Sequence, residues 1–287
     1  MKTDSLQIYL NDIFNLSEKD IKNSKIELNM TAGKGGVPFL EKWLKASTNE
    51  KASGTSDCSY WGWFQGKRNF QPGQNVFSFL KMRYNEYLFI SAAKIIAVPE
   101  NSPATVEILS QYQSFFGRLI VNYNKGNKYS RYVFKASTVL NEIIVKEILP
   151  CIYQGEDFQG YDSVNVSFGL LKKIFDGEIM PTYYNALKKI TGVYCLTDTK
   201  TGKLYIGSAT GNEGVSQRWG NYLNSSHGGN KKLIKLYDDN GKEYFENHFT
   251  FTLLEYFGLS YDAEEIKKRE QYWKRCLQTI KFGYNDN

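Results

Sequence analysis

Hydrophobic and polar positions alternate on both arms of the stretch 192–207, in Gly192-Val-Tyr-Cys-Leu-Thr-Asp198 and in Lys203-Leu-Tyr-Ile-Gly207. That period of two predicts a β-hairpin, with Thr199-Lys-Thr-Gly202 as its turn. A register with Tyr194 opposite Tyr205, Val193 opposite Ile206 and Cys195 opposite Leu204 leaves one face apolar. It sets two phenols side by side on the other face, and a slip of one residue would send the apolar set to the wrong side. Further on, the period lengthens. A helix over 214–225 places Val215, Arg218, Trp219 and Tyr222 on one stripe, a helix over 231–239 follows, and 249–256 reads as a third strand. Ser260 or Asp262 caps a long helix reaching Thr279, on which Ile266, Glu270, Trp273 and Leu277 share a face.

The first part of the chain shows a different pattern. Leu6, Tyr9, Leu10, Ile13 and Phe14 recur at helical spacing over 4–15, a polar-rich segment ends near Met30, and a short helix is expected over 39–46. Ala32-Gly-Lys-Gly-Gly36 lacks the Lys-Ser/Thr ending and the preceding buried strand of a phosphate loop, and is read as a plain loop, while 47–57 is read as a surface excursion. Aromatic and β-branched runs at 60–64, 76–82, 86–91, 118–123 and 130–135, with hairpin-like connectors at 83–85 and 124–128, predict an antiparallel barrel or strongly curled sheet. A strand signal over 158–168 runs into a short amphipathic helix over 168–176, and Pro181 opens the junction before the hairpin. The chain is therefore read as α+β, in two domains: a β-rich domain with N-terminal helices over 1–180, and a small antiparallel sheet flanked by helices over 181–287.

Composition adds modest constraints. The 287 residues carry a formal charge of +6, divided evenly about residue 180, so any nucleic-acid surface must come from placement rather than bulk charge. Cys58, Cys151, Cys195 and Cys276 lie scattered without CxxC spacing and only His227 and His248 accompany them, which argues against structural zinc and suits a reduced, cytoplasmic setting. No signal-type leader and no bilayer-length apolar run is present. In the first domain, Lys67, Arg68, Lys125, Lys128 and Arg131 are candidates for phosphate contacts. Trp61, Trp63 and Phe70 are expected either to stack on bases or to fill a small β core. Two residues of the second domain stand out chemically. Arg218 lies within an inward stripe and needs an anionic partner; Glu270 lies on a packing face and needs either a cation such as Arg218 or a divalent metal.

Gly192-Val-Tyr194, Tyr205-Ile-Gly207, Arg218 on the following helix, Glu270 in Arg-Glu-Gln-Tyr-Trp and the closing Gly283-Tyr-Asn285 together resemble the GIY-YIG nuclease domain, over about Ile190 to Asn287. Val193 replaces the usual isoleucine. The resemblance implies metal-dependent hydrolysis of a nucleic-acid phosphodiester, with double-stranded DNA as the expected partner. Glu270 would ligate one Mg²⁺ or Mn²⁺ per active site, and Arg218 would meet the scissile phosphate. Tyr194 or Tyr205 would accept the proton from water, its pKa lowered by metal and arginine. Tyr222 or His227 would fill a further site position, and Asn285 would fix the backbone or the phosphate. One such site cuts one strand, so double-strand breaks require a homodimer or successive nicks. The expected role is a restriction-type or modification-dependent defence endonuclease whose first domain selects the target. The alternatives are a structure-specific repair nicking enzyme and a non-catalytic DNA-binding or sensing protein.

Overall fold

The computed structural model describes residues 7–29, 38–58, 70–100, 103–126 and 132–286. Two compact units divide between Tyr153 and Gln154. The division falls before the expected boundary near residue 180 because the segment 164–175 belongs to the second sheet: its strand pairs there, and the helix that follows packs there.

The first unit contains α1 (Leu10–Phe14), α2 (Glu18–Lys22), β1 (Ser24–Asn29), α3 (Phe39–Lys45), α4 (Thr48–Ser53), β2 (Asn75–Lys81), β3 (Glu86–Ala97), β4 (Thr105–Ile108), β5 (Leu119–Asn122), β6 (Val133–Lys135), α5 (Ala136–Val139) and β7 (Ile144–Ile148). Its sheet is open and mixed, in the order β6-β1-β2-β3-β5-β7, with β4 added beside β3. The barrel expectation is thus corrected. The polar-rich stretch after Ser17 supplies β1, which runs parallel to β2 and takes β6 on its other side, leaving β6 and β7 as the two ends. β5 and β6, expected to form a hairpin, instead lie on opposite flanks of the sheet. Ile26, Leu28, Phe77, Phe79 and Phe89 pack with Leu10 and Phe14 into one aromatic-rich core. The expected surface excursion over 47–57 folds instead as α4, because Ser47 and Glu50 form a capping box.

In the second unit the elements are β8 (Asn165–Ser167), α6 (Phe168–Phe175), α7 (Pro181–Leu187), β9 (Ile190–Asp198), β10 (Leu204–Ala209), α8 (Gly214–Ser225), α9 (Lys231–His248), β11 (Phe249–Gly258), α10 (Ala263–Cys276) and α11 (Thr279–Phe282). α9 breaks at Gly241, whose φ of 75° no helix interior adopts. The antiparallel sheet runs β10-β9-β11-β8, so β10 is an edge strand. α8 packs on one of its faces against Tyr194, Tyr205 and Phe251, and α10 covers the other through Ile266, which meets Val193, Cys195 and Ile206. Among the described residues no helix is long and apolar enough to cross a membrane.

Candidate active site

The hairpin turn fixes everything built on it. Asp198 is fully buried and accepts hydrogen bonds from the Thr201 hydroxyl (2.7 Å), the Tyr244 hydroxyl (2.9 Å), the Tyr284 hydroxyl (2.6 Å) and the backbone N–H of Lys200 (3.0 Å). Burial acts to raise its carboxyl pKa, but these donors outweigh it and hold the group below the usual carboxylate range. With Asp198 pinned, Tyr194 lies opposite Gly207 and Tyr205 opposite Leu196. The expected pairing of Tyr194 with Tyr205 is therefore wrong by two residues. An even shift leaves every side chain on its expected face, so the two phenols share one face diagonally rather than side by side. Gly207 is required there, because a Cβ would come within 2.5 Å of the Tyr194 hydroxyl. Gly192 has the same constraint against the Glu255 carbonyl of β11.

On the α8 face, Arg218 Nε donates to the Tyr194 hydroxyl (3.0 Å) and Arg218 Nη2 to the Tyr222 hydroxyl (3.4 Å), while the two phenol oxygens lie 3.2 Å apart. The guanidinium carbon sits 5.2 Å from the centre of the Tyr222 ring. Helical spacing brings Arg218 and Tyr222 to the same ridge, one turn apart, with Trp219 and Tyr222 wholly buried against Tyr194. Among the described residues no anionic partner meets Arg218 on this face: phenols and an aromatic ring hold it. Burial raises the Tyr194 hydroxyl well above an ordinary phenol, and neighbouring Tyr205 adds to the shift while Arg218 opposes it. Burial, followed by the Tyr194 and Tyr205 phenols, does the same to Tyr222. Tyr205 and Arg218 border a cleft of about 490 Å³, shared with the Gly228-Gly229 turn, Asn230, Lys231 and Asp286. Asn230 caps α9 by accepting from Leu233 N (2.9 Å), so the positive end of that helix lies at the cleft.

Glu270 reaches β10 from the opposite face. One carboxylate oxygen accepts the Ser208 hydroxyl and the other pairs with Lys274 Nζ at 2.7 Å. Ser208 alternates with Gly207, so carboxylate and guanidinium approach the same edge strand from its two sides. The edge itself is closed by Asn285, which accepts from Ile206 N (2.8 Å) and donates to Ile206 O (2.8 Å). Lys232 anchors that closing segment through the carbonyls of Ile280 (3.1 Å) and Asn285 (2.6 Å). On the same helix as Glu270, Ile266 is buried while Leu277 is exposed, because α10 ends at Cys276.

Of the remaining expected site residues, His227 is held within its own turn. Its Nδ1 accepts from Gly229 N (3.1 Å) and its ring meets Tyr237. Lys125 is only 3% exposed: its ammonium donates to the Leu28 carbonyl (3.0 Å) among the rings of Tyr87, Tyr132 and Phe134. Burial, with Lys81 adding, lowers its pKa to about 8, so the expected phosphate contact is corrected to an enclosed core cation. Phe70 packs with Val76, Ala93 and Ile95 rather than offering a ring to bases. Trp61, Trp63, Lys67, Arg68, Lys128 and Arg131 lie outside the described residues. Sequence reasoning overlooked Ser208, Lys274 and Asp198. Lys274 carries a legible signal, one helical turn beyond Glu270, and Ser208 directly follows the Tyr205-Ile-Gly207 motif.

Among the described residues no three of His, Cys, Asp and Glu converge as a metal cluster. A single carboxylate still fits a hard divalent ion that keeps most of its waters, and Glu270, 16% exposed and with further acceptor capacity, would be that donor.

Residues 190–285 match the family model of the GIY-YIG catalytic domain. Among solved structures, the catalytic domain of the intron endonuclease I-TevI in a mutant form is similar at 27% identity over 34% of this chain and 94% of that one, with a TM-score of 0.28. The catalytic domain of the homing endonuclease I-TevI is similar at 28% identity over 33% of this chain and 96% of that one, with a TM-score of 0.27. No curated protein matches the chain.

Proposed function

We propose that this chain, which carries a GIY-YIG catalytic domain at residues 190–285, is a divalent-metal-dependent DNA endonuclease in which the first unit selects the target. The catalytic domain makes it a nuclease that hydrolyses phosphodiester bonds. The observation that carries the finer reading is the build of the edge strand β10, with the phenol-held Arg218 on one face and Glu270 seated at Ser208 on the other.

Arg218 uses only part of its donor set on Tyr194 and Tyr222, so the rest remains for a phosphate entering the cleft, in the bidentate geometry a lysine cannot copy. Tyr194, buried and protonated, orients that guanidinium. Tyr205 is the phenol that borders the cleft, which supports it over Tyr194 as the group that would accept a proton from the attacking water. Lys231 and the start of α9 add positive potential beside it. Asn285 holds Ile206, and through it the spacing of Tyr205 and Gly207. Glu270 and Ser208 would hold Mg²⁺ or Mn²⁺, which when bound supplies positive charge where negative charge develops at phosphorus.

Among the described residues the first unit has its own core and supplies none of these groups, which leaves it for target selection, as in a restriction-type or modification-dependent defence enzyme. Supercoiled plasmid incubated with the full chain should become nicked when Mg²⁺ or Mn²⁺ is supplied and stay intact in EDTA. Nicking indifferent to EDTA would contradict the metal dependence.

A further inference from the structure

Among the described residues four lysines and arginines of α10 pair with carboxylates, three on α10 itself and one on β11, and one of them is unlike the rest. Lys267 and Lys268 pair with Glu264 and Glu265 at the surface, their side chains 55% and 70% exposed, while the half-exposed Arg269 reaches Glu255. Lys274 is 5% exposed, and its ammonium lies 2.7 Å from Glu270. Ser208 occupies the second oxygen of that carboxylate. The ammonium is therefore taken out of water at the carboxylate that this domain would offer to a divalent ion.

We infer that Lys274 is a built-in competitor of the divalent cation at Glu270, holding the carboxylate neutralised until metal displaces or confronts the ammonium. The inference rests on the proposed metal role of Glu270. A compact ammonium and a divalent ion cannot share one carboxylate without strong repulsion, because both need its negative charge and the surroundings screen poorly. The flexible four-carbon stem of lysine lets the ammonium swing away, at the cost of its ion pair. Metal affinity in the absence of DNA is thereby set low, and an entering phosphate, which brings negative charge of its own, makes both cations tolerable together. The chain's own residues would thus link cation uptake to substrate arrival.

The test is Mn²⁺ binding to the full chain without DNA, followed by electron paramagnetic resonance, for wild type, Lys274→Met, Lys274→Gln, Lys274→Arg and Glu270→Gln. Removing the charge should tighten Mn²⁺ binding about tenfold in both Lys274→Met and Lys274→Gln, whereas Lys274→Arg should stay within about twofold of wild type. Glu270→Gln should abolish the site. A Glu270-dependent Mn²⁺ site whose affinity is unchanged or weakened when the charge at position 274 is removed overturns this inference and leaves the metal role standing. Absence of any Glu270-dependent site in wild type and both neutral variants sinks the two together. Two neutral side chains of different polarity guard against a packing defect in either one.

Discussion

Lys125 in the first unit and Arg218 in the second are both cations held by neutral groups and aromatic rings, yet their surroundings lead to opposite uses. Lys125 is closed in, its ammonium spent on the Leu28 carbonyl among three rings. Arg218 is half-buried, held by two phenols on one side and open to the cleft on the other. Aromatic company lowers the cost of desolvating a cation in either place. What separates a core cation from a site cation is whether donors point at accessible space, and the planar guanidinium of Arg218, which carries more N–H donors than its two phenol partners take, keeps some at the cleft.

Substitutions at these positions test the difference between the two cations. Among the residues on that side of β10 the largest effect is expected for Arg218→Lys, which keeps the charge but loses the fork held by Tyr194 and Tyr222. Plasmid nicking should fall by about 10² to 10³-fold with DNA binding largely kept. A variant within about threefold of wild type would show that charge alone suffices. Next come the two phenols. Tyr205→Phe should lower the single-turnover rate by about 10²-fold and flatten its rise with pH, as expected for the loss of a proton acceptor. Tyr194→Phe should lower the rate less and leave that pH profile intact, since its burial-raised phenol stays protonated throughout. Reversed profiles would exchange the two roles.

The smallest effect on function belongs to Lys125→Met, with DNA affinity expected within about twofold of wild type. Its stability should carry the signature of the lowered pKa. Between about 8 in the folded protein and the ordinary value of about 10.4, the unfolded chain binds a proton that the folded chain has released. Wild type therefore gains stability as pH rises through that window. Any Tm advantage of Lys125→Met at pH 7 should shrink by pH 9.5. An advantage constant with pH would mean that the ammonium is not desolvated.

Much of the second unit is legible in its hydrophobic pattern. The stripe on α8 places Arg218 with Tyr222, and the faces of the hairpin follow from alternation alone. The register does not, because a shift of two residues leaves that alternation unchanged; only the Asp198 turn, which joins residues distant in sequence, decides it. Partners are likewise hidden. Helical period puts Glu270 on a packing face, but whether phenols, Lys274 or a guanidinium meets each charge depends on which side of β10 each helix covers. In the first unit the pattern misleads twice. β1 is short and rich in polar residues because Glu27 and Asn29 are buried on its second face, so the strand that opens the sheet carries no apolar run. Asn124-Lys-Gly126 has the composition of a surface loop, yet the long lysine stem folds back into the core.

Glu270 carries the central role proposed for this site. Nicking of supercoiled plasmid in Mg²⁺ by Glu270→Gln, measured beside its DNA affinity and that of wild type, tests it most directly. The expected result is cleavage reduced by at least about 10³-fold with DNA affinity preserved or slightly raised, since the substitution removes a negative charge and keeps the shape. Cleavage by Glu270→Gln at the wild-type rate would contradict the role given to the carboxylate, and with it the proposed site.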